Sequence, residues 1–395
     1  MRKLFYIGLE RYRARYTLQL QDWNEAVFKR RGIDYVIVEG DTLDSDRAIV
    51  TGQVLDAHGR TYYSMTQLAK LVKIMKQGEI TNEDVIYFED MFTAGIESLP
   101  YIMNQIPQDQ RPRVFVRCLA QSIDPDDFIH VWSMSKWMSL YEKMVCELVR
   151  DSGGAVLASN EEMVMHMKVA GWDCNIYNVS GLAFGKAEVQ GRVASIKPFN
   201  DRKYRVGFAA RWDREKNPDF YMDLIEAWYA NTNNPQVEFA LFSGSKLKSN
   251  DNSYMARTRD LQSRGLLTVY ENSEKNDYYA LLNDTRVLFN CALQDWVSNT
   301  VSEADTLGCN VLYPAYRSFP ETFANDHARL YVPWSLEDAM SKLTILLDKP
   351  SANMGKISNW TNGTVDRIVD ILEGTGEQWN RSMNNYRKHT HESKY

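Results

Sequence analysis

Tyr204-Arg205-Val206-Gly207-Phe208-Ala209-Ala210-Arg211-Trp212-Asp213-Arg214-Glu215-Lys216-Asn217-Pro218 reads as a strand (204–208), a turn and the opening of a helix over 217–230. Arg211 and Lys216 stand five residues apart between the two elements. Both cations therefore fall at a strand's carboxyl end and beside a helix N-terminus. Fixed positive charge and free N–H groups meet there, which favours a diphosphate.

The same rhythm extends on both sides. Downstream, Val237 to Phe242 is a strand ending at Ser243-Gly244-Ser245, and Leu267 to Tyr270 is a strand followed by a helix over 274–284. Arg286 to Asn290 is a strand, Ser302 to Leu307 opens a short helix, and Gly308 to Tyr313 leads into a further strand closed by Pro314. Ser335 caps a helix that runs to Leu347. Upstream, strands are expected at Leu4 to Gly8, Tyr35 to Val38, Asp84 to Phe88, Arg113 to Val116 and Gly154 to Ala158. Helices are expected at Thr17 to Lys29, 94–105, Ser135 to Val149 and from Ser159 to Gly171. Alternation of strand and helix implies parallel pairing with right-handed crossovers. The chain is thus read as two doubly wound α/β domains, 1–185 and 203–378, joined by a linker at 186–202 and ending in a polar tail at 379–395. Ligands of such domains bind beyond the carboxyl ends of the strands and in the crevice between domains.

Composition narrows the classes. The chain has 395 residues, 44% hydrophobic and 25% charged, which suits soluble globular domains and excludes disorder over most of its length. No apolar run approaches the roughly 18 residues of a membrane span. Leu4 to Leu9 is too short for a signal-peptide core, so a cytoplasmic protein (host cytoplasm, if viral) without a membrane partner is expected. Cys118, Cys146, Cys174, Cys291 and Cys309 are scattered, with no Cys-x-x-Cys pair, and read as free thiols. A net charge of −6 excludes a protein that is basic overall, yet residues 1–31 hold eight basic side chains against three acidic ones.

A second constellation lies at Asp295-Trp296-Val297-Ser298-Asn299-Thr300-Val301-Ser302-Glu303, with Gly308-Cys309-Asn310-Val311 after it. Two carboxylates eight residues apart flank small polar residues. Carboxylates accept hydrogen bonds from sugar hydroxyls, and backbone N–H groups of Val297 to Thr300 suit an anion at a helix start. Taken together, the two constellations resemble the retaining GT-B glycosyltransferases, whose second domain carries a Gly-Arg-x4-Lys loop and a Glu-x7-Glu motif. Further similarity lies in Ala158-Ser159-Asn160-Glu161, Gly171, Asn178-Val179-Ser180-Gly181, Pro320-Glu321-Thr322 and Leu330 to Trp334.

The resemblance implies two Rossmann-like domains facing across a cleft and transfer of a sugar from a nucleoside-diphosphate sugar, a UDP-sugar. It implies no cofactor beyond that co-substrate and no metal, the two cations taking the metal's role. Arg211 and Lys216 would hold the diphosphate and stabilise its departing charge under front-face attack by the acceptor. Glu303 would hold the ribose and Asp295 the transferred sugar; here the first acid is Asp rather than Glu. Trp296, Val297, Ser298, Asn299 and Thr300 would line the donor, with Gly8 and Gly207, and Tyr270, Glu271 and Asn272 would lie near the base.

The first domain would hold the acceptor. Arg11, Arg13 and Arg15 follow the first strand and read as a seat for phosphates of donor or polyanion. Thr17-Leu-Gln-Leu-Gln-Asp22-Trp23 resembles the first helix of bacteriophage DNA α-glucosyltransferases, which makes a hydroxymethylated pyrimidine in DNA the favoured acceptor. A glycan or small molecule is the alternative, as is a nucleotide-sugar-binding or epimerase protein of the same fold. Glu89, Asp90, Gln121 and Asp124 are the candidates for engaging the acceptor hydroxyl, with His130 the nearest histidine. Asp124-Pro125-Asp126-Asp127 reads as a helix-capping turn.

Overall fold

The structure is a computed structural model that describes residues 1–11, 17–43, 57–131, 133–231 and 236–374. Arg13, Arg15 and the tail expected at 379–395 lie outside the described residues.

Two parallel sheets of six strands form the frame. The first contains β1 (Leu4–Ile7), β2 (Tyr35–Ile37), β3 (Val85–Phe88), β4 (Arg113–Arg117), β5 (Ala155–Ala158) and β6 (Ile176–Asn178), in the order β2-β1-β3-β4-β5-β6. The second contains β7 (Lys203–Phe208), β8 (Glu238–Phe242), β9 (Thr268–Tyr270), β10 (Thr285–Phe289), β11 (Asn310–Pro314) and β12 (Leu330–Tyr331), in the order β12-β11-β10-β7-β8-β9. Every pairing in both sheets is parallel. Strands covered on both faces need no polar alternation, and β1, β3, β5, β10 and β11 are buried at every position.

In the first sheet alternate residues go to opposite sides. Phe5, Ile86, Val114 and Val156 pack against Leu68 and Leu71 of the helix Ala57–Lys76 and Val145 and Val149 of the helix Ser135–Asp151. Tyr6, Tyr87, Phe115 and Leu157 pack against Leu20, Trp23 and Phe28 of the helix Thr17–Arg31 and against Ile368 and Val369 near the chain's end.

The linker expected at 186–202 contains a helix, Lys186–Gly191, whose Val189 joins that core. The helix Thr364–Leu372, expected in the second domain, lies on the first. Arg30 pairs with Asp366 at 2.7 Å, and Arg31 with Asp370 at 2.8 Å and Glu373 at 3.0 Å. Arg367 donates to the carbonyls of Val179 (2.9 Å) and Ser180 (2.8 Å). Exposed ion pairs contribute only about 0.2–1 kcal/mol each, so the apolar side of the helix (Val365, Ile368, Val369, Leu372) does most of the holding. Arg2 pairs with Asp84, Lys3 with Asp34, Arg11 with Asp22 and Lys29 with Glu25. Six of the eight basic residues of 1–31 therefore have carboxylate partners, Arg11 of the expected phosphate seat among them.

The helix expected over 94–105 is reduced to a turn, Ile96–Ser98, and a short helix, Leu99–Met103, because Gly95 takes φ 97° and Pro100 sits in the first turn. Two helices and an edge strand are among the elements that escaped sequence reading. The helix Ala57–Lys76 buries Ser64 and Gln67 beside its leucines, and the helix Asn252–Ser263 buries only Tyr254, Thr258 and Leu261, so neither shows an apolar stripe. The edge strand β6 has only three residues.

Gly154 enters β5 so close to β4 that a Cβ would stand 1.7 Å from the Val114 carbonyl oxygen. Gly191 has no atom within 4 Å of its Cβ position. Gly154→Ala is expected to cost about 3 kcal/mol in urea unfolding, and Gly191→Ala to be neutral or stabilising. Equal effects would contradict the close strand approach.

Candidate functional site

Each sheet has one place where its strand order reverses. In the second sheet it lies between β7 and β10, and in the first between β1 and β3. Side chains leaving the carboxyl ends of these strands face a crevice. Residues 209–217 follow β7 and residues 290–298 follow β10, so both motifs singled out by sequence arrive at the same switch point.

Asp213 opens a short turn, Arg214–Lys216, Asn217 takes φ 55°, and Pro218 starts the helix Pro218–Asn231. Proline suits the first helical position because its missing N–H would have no helical partner. The two loops are stitched together: Leu293 and Gln294 N–H donate to the Glu215 carbonyl at 2.9 and 3.1 Å. Lys216 is 8% exposed. Its ammonium donates to the Gln294 carbonyl at 2.6 Å and lies 3.6 Å from an Asp295 oxygen. Arg211 is more open and pairs with Glu215 at 2.8 Å.

The helix after Asp295 starts earlier than the sequence suggests. It spans Asn299–Thr306 with Ser298 as N-cap, so Glu303 lies in the second turn rather than the first. The reason is that Ser298 and Thr300 fasten this end to the sheet: their hydroxyls bond each other at 2.7 Å and the Tyr313 hydroxyl at 3.0 and 3.2 Å. Glu303 is buried. One oxygen receives Lys275 at 2.7 Å and Tyr279 at 3.0 Å; the other receives Tyr278 at 3.0 Å. Tyr279 also meets Gln19 of the first domain, whose amide donates to Glu188 at 2.8 Å. Burial raises the Tyr313 pKa, and the Asp295 charge adds to it.

Other donor candidates serve the fold. Gly207 has no side chain because a Cβ would lie 2.5 Å from the Phe242 ring, and Gly8 gives its carbonyl to Gln67 at 3.0 Å. Tyr270 donates to Glu238 at 2.7 Å and accepts from Arg205 at 2.9 Å. Glu271 receives the Leu247 N–H at 2.7 Å, and Asn272 holds a left-handed turn at φ 54°. This trio sits at the end of β9, two strands away from the switch point. Trp296 reaches into the first domain's core, its carbonyl accepting from Asn160 at 2.7 Å.

In the first domain, Glu89 is buried directly after β3, accepting from Tyr6 at 3.2 Å and Asn24 at 3.5 Å. Asp90 is paired with Arg60. Gln121 donates to the Met163 carbonyl at 3.1 Å, and His130 meets the Ser122 carbonyl. Asp124 is fully buried and bound by Arg317 of the second domain at 3.0 Å, together with Asp126 at 2.8 Å. These contacts, with Glu321 accepting from Asn178 and the Glu161 N–H, both at 2.8 Å, hold the domains together.

Asp127, read only as part of a capping turn, does cap: it receives the Ile129 N–H at 3.0 Å. Its other oxygen receives Gln294 across the crevice at 3.3 Å. Burial pushes its carboxyl up to about 7, against the pull of Lys216 and Arg211. Lys275 and Arg317 carry no sequence signal, because their partners are remote in the chain. Among the described residues no group of three or more His, Cys, Asp or Glu could hold a metal ion. No helix of the described residues is long and apolar enough to cross a membrane.

Burial also raises the Glu89 carboxyl to about 7, although Arg117 opposes it. A group whose pKa is higher in the folded state stabilises fully below its unfolded value, about 4.5. That contribution is lost as pH rises through about 7. Glu89→Gln is expected to remove a fall in stability on the order of 2–3 kcal/mol between pH 4.5 and 7.5, read by urea unfolding. Parallel curves for the two proteins would contradict the burial.

No family model matches the chain, and no curated protein matches it. Solved structures do match. Sucrose-phosphate synthase from Thermosynechococcus elongatus is 12% identical with a TM-score of 0.62, over 98% of this chain and 100% of that one. A UDP-forming alpha,alpha-trehalose-phosphate synthase from Burkholderia xenovorans is 12% identical with a TM-score of 0.59, over 97% and 99%. The E. coli trehalose-6-phosphate protein bound with UDP-2-fluoro glucose is 9% identical with a TM-score of 0.60, over 96% and 98%. Two parallel six-stranded sheets facing across a crevice, in this order, make the GT-B fold of these glycosyltransferases.

Proposed function

We propose that the chain is a retaining glycosyltransferase that moves a sugar from a UDP-sugar to an acceptor hydroxyl. The observation that carries this reading is the convergence of Lys216, Arg211 and Asp295 at the switch point of the second sheet. The UDP-2-fluoro glucose bound by the E. coli protein supports the choice of donor.

Lys216 has one carbonyl and one carboxylate near its ammonium, so a diphosphate oxygen completes its coordination. Arg211 exchanges Glu215 for the same group. As the bond between the anomeric carbon and the diphosphate breaks, both cations meet the growing charge. Asp295 receives hydroxyls of the sugar. Glu303 receives a ribose hydroxyl on the oxygen that accepts from Tyr278. Loss of the diphosphate on the same face that the acceptor enters preserves the anomeric configuration.

The acceptor is a hydroxyl-bearing molecule. A DNA acceptor rests on the likeness of Thr17 to Trp23 to the first helix of the phage enzymes and on the phosphate seat read at Arg11, Arg13 and Arg15, of which Arg11 pairs with Asp22. A glycan or small molecule is the alternative.

Incubation with a panel of nucleotide sugars, with oligosaccharides, plain DNA and hydroxymethylated DNA as acceptors, tests both parts by mass spectrometry. An epimerised nucleotide sugar formed without any acceptor would indicate an epimerase. Lys216→Ala is expected to lower transfer on the order of 10²-fold or more. Glu303→Gln is expected to weaken UDP binding about tenfold by calorimetry, about 1.4 kcal/mol. Full activity in Lys216→Ala would remove the diphosphate assignment.

A further inference from the structure

We propose, resting on the glycosyltransferase reading, that Asp127 is the catalytic residue of the first domain and that its carboxylate receives the acceptor hydroxyl. Elimination supplies the first argument. Asp124 is held by Arg317 and Asp90 by Arg60, and Glu89 accepts from Tyr6 and Asn24. Each of these acids is committed to the fold. Asp127 instead turns one oxygen to a neutral amide of the second domain, that of Gln294.

Position supplies the second argument. One oxygen of Asp127 is fixed by the Ile129 N–H, and the other receives Gln294 at 3.3 Å. The carbonyl of that same Gln294 holds the Lys216 ammonium at 2.6 Å, and the next residue is Asp295. A hydroxyl at the Gln294-facing oxygen therefore stands between the acceptor wall and the two cations. The 3.3 Å amide contact is long for a charge-assisted hydrogen bond, so a hydroxyl replaces it at small cost.

Electrostatics supplies the third. The charged groups acting on Asp127 are Asp124 on its own loop and Lys216 and Arg211 across the crevice. Burial outweighs both cations and leaves the carboxyl near 7, the range in which a base is ionised at neutral pH and still takes a proton.

In the step so defined, the acceptor oxygen forms a bond to the anomeric carbon. The bond from that carbon to the diphosphate oxygen breaks, and its electron pair stays with the diphosphate on Lys216 and Arg211. The acceptor proton passes to Asp127 and then to solvent.

The test needs no known acceptor, since water can replace it. Wild type and Asp127→Asn are compared for UDP binding by calorimetry and for UDP release from UDP-glucose between pH 5.5 and 8.5. The variant is expected to bind UDP at pH 6 within about twofold of wild type and to release UDP on the order of 10²-fold more slowly. The wild-type rate is expected to rise with pH through about 7, and the residual rate of the variant to lack that rise. Equal release by the two proteins, or one shared pH profile, would overturn the proposal. If wild type binds UDP without releasing it from UDP-glucose, the affinity decides. Ionised Asp127 beside the diphosphate weakens wild-type binding above pH 7, and Asp127→Asn removes that loss; identical pH dependence would overturn the assignment. A wild type that binds no UDP would instead sink the glycosyltransferase reading itself.

Discussion

A buried lysine ammonium is the constraint from which the rest of the site follows. Lys216 is held between the Gln294 carbonyl and Asp295, and it has lost most of its water. A buried cation needs an anion close by, and Asp295 supplies one. The two loops are joined by hydrogen bonds from Leu293 and Gln294 to Glu215, so Lys216, Gln294 and Asp295 keep their spacing. The order β10, β7, β8 makes this possible, because both loops leave the switch point between β7 and β10.

The second dependence is the grip between the domains. Arg317, Glu321 and Trp296 bind first-domain groups, while the helix Thr364–Leu372 carries the chain back across. A hydrogen-bonded line runs from Glu303 through Tyr279 and Gln19 to Glu188 in the connecting segment. The acid assigned to the ribose is thus tied to the helix Thr17–Arg31 and to the point where the chain passes between domains. The buried carboxylate is compensated by one ammonium and two hydroxyls in the meantime.

Much of this frame can be read from residues in a row. Val85-Ile86-Tyr87-Phe88 and Arg286 to Phe289 are continuous apolar runs because both faces of a parallel sheet are covered. The loop with Arg211 and Lys216 was legible because its residues lie close in sequence. What stayed hidden depends on distant partners. The return of residues 364–372 to the first domain rests on apolar packing of Val365, Ile368, Val369 and Leu372, with Arg30–Asp366 and Arg31–Asp370 pairs beside it, each separated by more than three hundred positions. Asp127 was legible as a cap and not as a wall of the crevice, since Gln294 reaches it from the other domain. The start of the helix at Asn299 was missed because Tyr313, on β11, holds Ser298 and Thr300.

A crystal structure of the protein with UDP tests the central claim most directly. The account places diphosphate oxygens at about 3 Å from Lys216 Nζ and from the Arg211 guanidinium, with the ribose at Glu303. UDP seated elsewhere, with Lys216 still bound only to Gln294 and Asp295, would contradict it.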